Sequence, residues 1–182
     1  MTPFFILSLP RSRTAWLAAF LSYSDVNCYH EAIPRAGSLA MLRRWMGEAP
    51  IVGNSDCGNI LVADKLVAMF PTAKFVVVRR NVSDVCHSLR RIGIPPRYRD
   101  LCDQEKALAK FAAERECMEI SFDELESPLV TVQLAKYVLG VEMDMKRALQ
   151  FSRLRIEVRR DLTARESAHY AQVLKEIEME VV

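Results

Sequence analysis

Short apolar runs alternate along the chain with stretches whose apolar residues recur every three or four positions. Residues 4–9 are apolar almost throughout and stop at Pro10, as a strand buried on both faces would. Residues 13–22 place Trp16, Leu17, Phe20 and Leu21 on one side of a helix. The spacing predicts a short strand over 27–32, a helix over 37–47, a strand over 50–53, a polar loop over 53–58, and a helix over 60–70. Residues 74–78 contain Phe75-Val76-Val77-Val78, the best strand sequence in the chain, because aromatic and β-branched side chains suit a pleated buried surface. Asn81 with Asp84 three residues on marks a helix start, and Gly93 with Pro95-Pro96 its end. Further helices are expected over 103–117, from Ser127-Pro128 to Leu139 with Gly140 as its cap, and twice within 143–180 with a break near 161–163. Residues 118–121 read as a last strand.

Strands that alternate with helices predict a three-layer α/β fold, with a mainly parallel central sheet and right-handed crossovers. The 182 residues suit one unit, with the helices of 143–182 packed on the rest. Ligands in such sheets bind beyond the carboxyl ends of the strands. Arg11 and Arg13 follow one strand and Arg79 and Arg80 another, so both pairs are expected to face one crevice. The turn Pro10-Arg11-Ser12-Arg13-Thr14 brings two cations, two hydroxyls and the free N–H groups of a helix start together, which is an anion site for phosphate or sulfate.

Composition narrows this picture. Apolar residues make up 51% of the chain and charged residues 26%, an ordinary soluble balance, and the net charge is only +2. Nucleic acid is not indicated; clustered arginines on a near-neutral chain point to a small anionic ligand. No apolar stretch approaches the ~18 residues of a membrane span. Five scattered cysteines without a C-x-x-C spacing suggest free thiols in a reducing cytosol. No His, Cys or carboxylate cluster has metal-ligand spacing, so no metal is expected.

The turn from Pro10 to Leu17, Pro10-Arg11-Ser12-Arg13-Thr14-Ala15-Trp16-Leu17, resembles the 5′-phosphosulfate loop of the sulfotransferases that use 3′-phosphoadenosine 5′-phosphosulfate (PAPS), whose pattern is close to P-[KR]-S-G-T-T-W-L. Arg80-Asn81-Val82-Ser83-Asp84-Val85-Cys86-His87-Ser88 is similar to the same family's 3′-phosphate segment, R-N-x-x-D-x-x-x-S. Ile120-Ser121-Phe122-Asp123-Glu124-Leu125, with Ser127-Pro128 and Leu139-Gly140, resembles a third, mainly structural segment. The resemblance spans roughly residues 4–140. It implies a P-loop NTPase-like sulfotransferase fold that moves a sulfuryl group from PAPS to a hydroxyl or amine of a small-molecule or sugar acceptor, with the bisphosphate PAP as product.

The resemblance also implies roles. Arg11 supports the transferring group, and Arg11, Ser12, Arg13, Thr14, Ala15, Trp16, Arg80 and Ser88 bind the nucleotide. Two residues depart from the family pattern: Arg13 stands where glycine is usual and Ala15 where threonine is usual. Arg13 is either a third cation on the leaving group or the mark of a loop that no longer catalyses. The family's late R-K-G loop is not visible; Arg153, Arg155, Arg159 or Arg160 is the candidate to replace it. Gly53-Asn54-Ser55-Asp56 holds no histidine where many family members carry the base. Other branches use a glutamate after the second strand, where Cys28-Tyr29-His30-Glu31 stands, so the resemblance makes Glu31 the first choice as base, followed by His30 and Asp56. The acceptor pocket is expected over 93–100 and the last two helices. Two other readings are a P-loop kinase, disfavoured by the missing G-K-[ST], and a non-catalytic nucleotide-binding protein.

Overall fold

A computed structural model describes residues 2–154 and 156. Five strands alternate with helices: β1 (Phe4–Ser8), α1 (Thr14–Leu21), β2 (Asn27–His30), α2 (Ala32–Ala36), α3 (Leu39–Trp45), β3 (Val52–Asp56), α4 (Ala63–Met69), β4 (Lys74–Arg79), α5 (Val82–Arg91), α6 (Tyr98–Glu114), β5 (Met118–Ser121), α7 (Pro128–Leu139) and α8 (Met145–Ser152). All strand pairings are parallel and the sheet order is β2-β3-β1-β4-β5.

The two faces of the sheet follow from the period of two along each strand. Phe5 and Leu7 of β1, with Phe75 and Val77 of β4, face one way and pack with Ile33, Leu42, Leu66, Val85, Leu108 and Phe111. Phe4 and Ile6, with Val76 and Val78, face the other and pack with α1, α7 and α8 through Trp16, Leu17, Phe20, Leu134, Val138 and Ala148. Both faces are covered, so β1 and β4 read as continuous apolar runs and the architecture has three layers.

Several elements differ from expectation. The strand placed at 50–53 runs instead from Val52 to Asp56, through residues expected to form a loop. Its polar side chains Asn54, Ser55 and Asp56 are buried, and Asn54 is held by partners inside the molecule. Asn54 Oδ1 accepts from Ala32 N–H at 3.0 Å, and Asn54 Nδ2 donates to Asn59 Oδ1 at 2.8 Å. Asn59 Nδ2 donates in turn to the carbonyls of Ile6 and Asn54. Gly53 sits beside Phe4 in register, and a Cβ there would lie 2.1 Å from the Phe4 ring. The short α2 was not expected. The helix placed over 60–70 starts as a 3-10 turn, Asn59–Val62, before α4. The helix placed over 103–117 runs from Tyr98 to Glu114, so part of the loop expected to line the acceptor pocket is helical. Ser127 precedes α7 without a side-chain cap bond, while Pro128 opens that helix and Gly140 closes it at φ 72°. Of the two helices expected over 143–180, α8 is described; the rest, with Arg155, Arg159 and Arg160, lies outside the described residues.

Candidate functional site

The sheet order creates a switch point at β1. The chain leaves β1 toward β2 on one side, and it returns from β3 to β4 on the other. Crevices at such points, at the carboxyl ends of the strands, are where open α/β sheets bind ligands. The loop after β1 and the turn after β4 lie there.

The β1 loop is strained at two places. Arg11 has φ 65° and Arg13 φ 63°, the left-handed region that side chains with a Cβ avoid. Each costs about 1 kcal/mol or more. Arg13 is the N-cap of α1 but makes no side-chain cap bond, so no N-cap side chain satisfies the first N–H groups of α1. The turn after β4 supports the loop directly. Arg80 Nη1 donates to the Arg11 carbonyl oxygen. Arg11 Nε donates to Ser88 Oγ at 3.1 Å, two turns into α5. Asn81 caps α5 by accepting from Ser83 N–H at 2.8 Å. The two segments singled out in the sequence are therefore in contact.

The electrostatics of the cluster favour an anion. Burial lowers the pKa of Arg11, and the nearby Arg91 lowers it further. Burial also lowers that of Arg80; Arg11 and Arg13 add to the shift, and Asp84 and Asp123 oppose it. Ser12 Oγ and Arg80 Nε are buried with no hydrogen-bond partner among the described residues. Unpaired buried donors of this kind cost free energy until a ligand or water meets them.

Arg13 points across the turn after β4. Its Nη2 donates to Glu126 Oε1 at 2.7 Å, and its guanidinium carbon lies 5.0 Å from the Phe122 ring centroid. The Arg80 guanidinium carbon lies 3.8 Å from the same ring. Sequence reasoning treated Phe122 as structural; its place directly after β5 was the available signal. Trp16 lies in the core, with its ring 5.1 Å from Phe20 and its Nε1 donating to the Phe151 carbonyl at 2.9 Å. Ala15 lies half-buried in the first turn of α1.

A second cluster forms at the end of β2. Thr14 Oγ1 lies 3.1 Å from His30 Nε2, and that nitrogen lies 3.7 Å from Glu31 Oε1. Glu31 is also left-handed, at φ 56°, and the residue after it is pinned by the Asn54 side chain. Asp56 turns into its own loop, where Oδ1 accepts from Gly58 N–H at 2.8 Å. Arg79 leaves the cluster for Glu105 and Glu119. It lines an open pocket of ≈ 610 Å³ with Arg80, Asp84, Tyr98, Glu105 and Phe122. Arg153 is exposed past the end of α8. Among the described residues no His, Cys or carboxylate group is arranged to hold a metal, and no helix is long and apolar enough to cross a membrane.

Solved structures share this architecture. The sulfotransferase domain from the curacin biosynthetic pathway matches with a TM-score of 0.63 at 15% identity, over 88% of this chain and 80% of its own. The sulfotransferase domain from the Synechococcus PCC 7002 olefin synthase matches with a TM-score of 0.58 at 12% identity, over 100% of this chain and 96% of its own. The mouse sulfotransferase SULT7A1, complexed with PAP, matches with a TM-score of 0.53 at 11% identity, over 84% of this chain and 63% of its own.

The fold is that of the sulfotransferases. No protein-family model matches the chain, and a comparison with curated protein sequences found no match. Within the sulfotransferase fold of this chain, the residues at the crevice fit a phosphorylated ligand. Three guanidinium groups lie close together there, two buried donors lack partners among the described residues, and α1 begins at the same loop with no side-chain cap.

Proposed function

We propose that the protein is a PAPS-dependent sulfotransferase acting on a hydroxyl or amine of a small-molecule or sugar acceptor. The observation that carries this reading is the contact between the two motif segments: Arg80 on the Arg11 carbonyl, and Arg11 on Ser88. On this reading the contact joins a 5′-phosphosulfate loop to a 3′-phosphate turn in one crevice. Arg80 and Ser88 would hold the 3′-phosphate. Arg11, Ser12, Arg13, Thr14 and the backbone of Ala15 would hold the 5′ end, and Trp16 would back the loop from the core.

When bound, PAPS supplies a sulfuryl group joined through oxygen to its 5′-phosphate. Glu31 takes the proton from the acceptor hydroxyl, while His30, between Thr14 and Glu31, orients the carboxylate. The acceptor oxygen forms the new S–O bond as the S–O bond to the 5′-phosphate breaks. Arg11 and the N–H groups opening α1 stabilise the electron pair left on the phosphate oxygen. No metal enters this scheme. The protein is taken as cytoplasmic and the whole chain as one unit.

Thermal stabilisation tests the reading. PAP is expected to raise the melting temperature, and Arg80→Ala is expected to abolish the rise. A rise with Mg·ATP alone would instead favour a kinase. A rise with PAP but no release of PAP from PAPS, across a panel of alcohols and amines, would favour a non-catalytic binder.

A further inference from the structure

The sheet order places β4 between β1 and β5. Arg13 follows β1, Arg80 follows β4, and Phe122 and Glu126 follow β5. The Arg13–Glu126 ion pair therefore passes over the carboxyl end of β4, above the position of Arg80. The two partners are unequal in exposure. The Glu126 side chain is 70% exposed and that of Arg13 is 24% exposed. Glu126 reaches in from solvent to pair with a largely buried cation, and among the described residues its carboxylate makes no other hydrogen bond or ion pair. Arg11, Arg13 and Arg80 crowd their positive charges together; Asp84 and Asp123 act on Arg80, and Glu126 is the carboxylate paired with Arg13.

We infer that Glu126 is an internal counter-ion that occupies Arg13 until a multiply charged phosphate ligand enters, so that the Arg13–Glu126 pair sets the affinity of the site. The inference rests on the anion site of the proposed function, and it needs the ligand's charge rather than its nucleoside. Arg13 changes partner: it leaves the carboxylate for the ligand's phosphate oxygens, and Glu126 returns to water. A glycine at position 13 has no side chain to exchange, so the device belongs to this loop's departure from the family pattern.

Titration calorimetry on the full chain tests it with two probes, PAP and inorganic pyrophosphate, against wild type, E126Q, R13Q and R13Q/E126Q. E126Q keeps the shape of an exposed side chain and removes its charge. It is expected to tighten both ligands about threefold to fivefold, the scale of one exposed ion pair. R13Q is expected to weaken both, and adding E126Q to R13Q should then change nothing, because the two effects act through one contact. Unchanged or weaker binding in E126Q would overturn the inference, as would equal tightening in the R13Q background. If pyrophosphate binds and is tightened by E126Q while PAP does not bind, the counter-ion role stands and the nucleotide reading fails. If PAP binds in an Arg80-dependent way and E126Q leaves its affinity unchanged, the nucleotide reading stands and the counter-ion role fails. If neither probe binds, both fail.

Discussion

Arg13 carries two opposed contributions at a single residue. Its backbone sits at φ 63°, where glycine is free of strain, while its side chain makes an ion pair and lies against Phe122. Arg13→Ala removes the side-chain contacts and keeps the strain; Arg13→Gly removes both. The glycine variant is therefore expected to be about 1 kcal/mol more stable than the alanine variant, read from urea midpoints. Equal midpoints would mean that residue 13 is not left-handed in solution. Glu31 is tested on rates rather than stability. Glu31→Gln keeps the shape of the side chain beside His30 but cannot accept a proton. It is expected to lower kcat about 10²- to 10⁴-fold while PAP binds as before. Full activity in that variant would move the base to another residue, and His30→Gln is the next to measure.

Among the elements, β3 is the one whose interior the sequence hides. Val52–Asp56 contains glycine and three polar residues, all buried. Local rules read such a string as a loop, because nothing in it shows that Asn54 will meet Asn59 and the N–H of Ala32. Gly53 is needed for space: its neighbour in register is Phe4, fully buried. Gly53→Ala is expected to cost about 3 kcal/mol through overpacking, with part of it returned when Phe4→Leu is added. A change under about 0.5 kcal/mol would contradict the β1–β3 register. The strands β4 and β5 and the helix α7 were legible, because apolar period, capping residues and proline placement all agreed locally. That the two arginine-bearing turns face one crevice was expected from topology, since both follow strands of one sheet; their direct contact was not. The partners of Arg13 were not legible. They come from a segment more than a hundred residues away, and a guanidinium gives no sequence signal of which carboxylate it will choose.

For the whole molecule, a ligand that binds only the folded state stabilises by mass action. At a hundred times its dissociation constant PAP adds about 2.7 kcal/mol, which for a chain of this size raises the melting temperature by about 5–10 °C. Arg80→Ala should lose that increment, and in differential scanning calorimetry a shift of equal size in the variant would remove Arg80 from the site. The same sheet order that builds the crevice also decides when the chain can begin to assemble. β1 is the middle strand, yet it is made first. Its partner on one side starts at Val52 and on the other at Lys74, so at ordinary translation speeds the segment Phe4–Ser8, apolar but for its last residue, waits seconds for either edge to be covered. During that interval it is an uncovered apolar strand segment, the kind of stretch a holding chaperone binds.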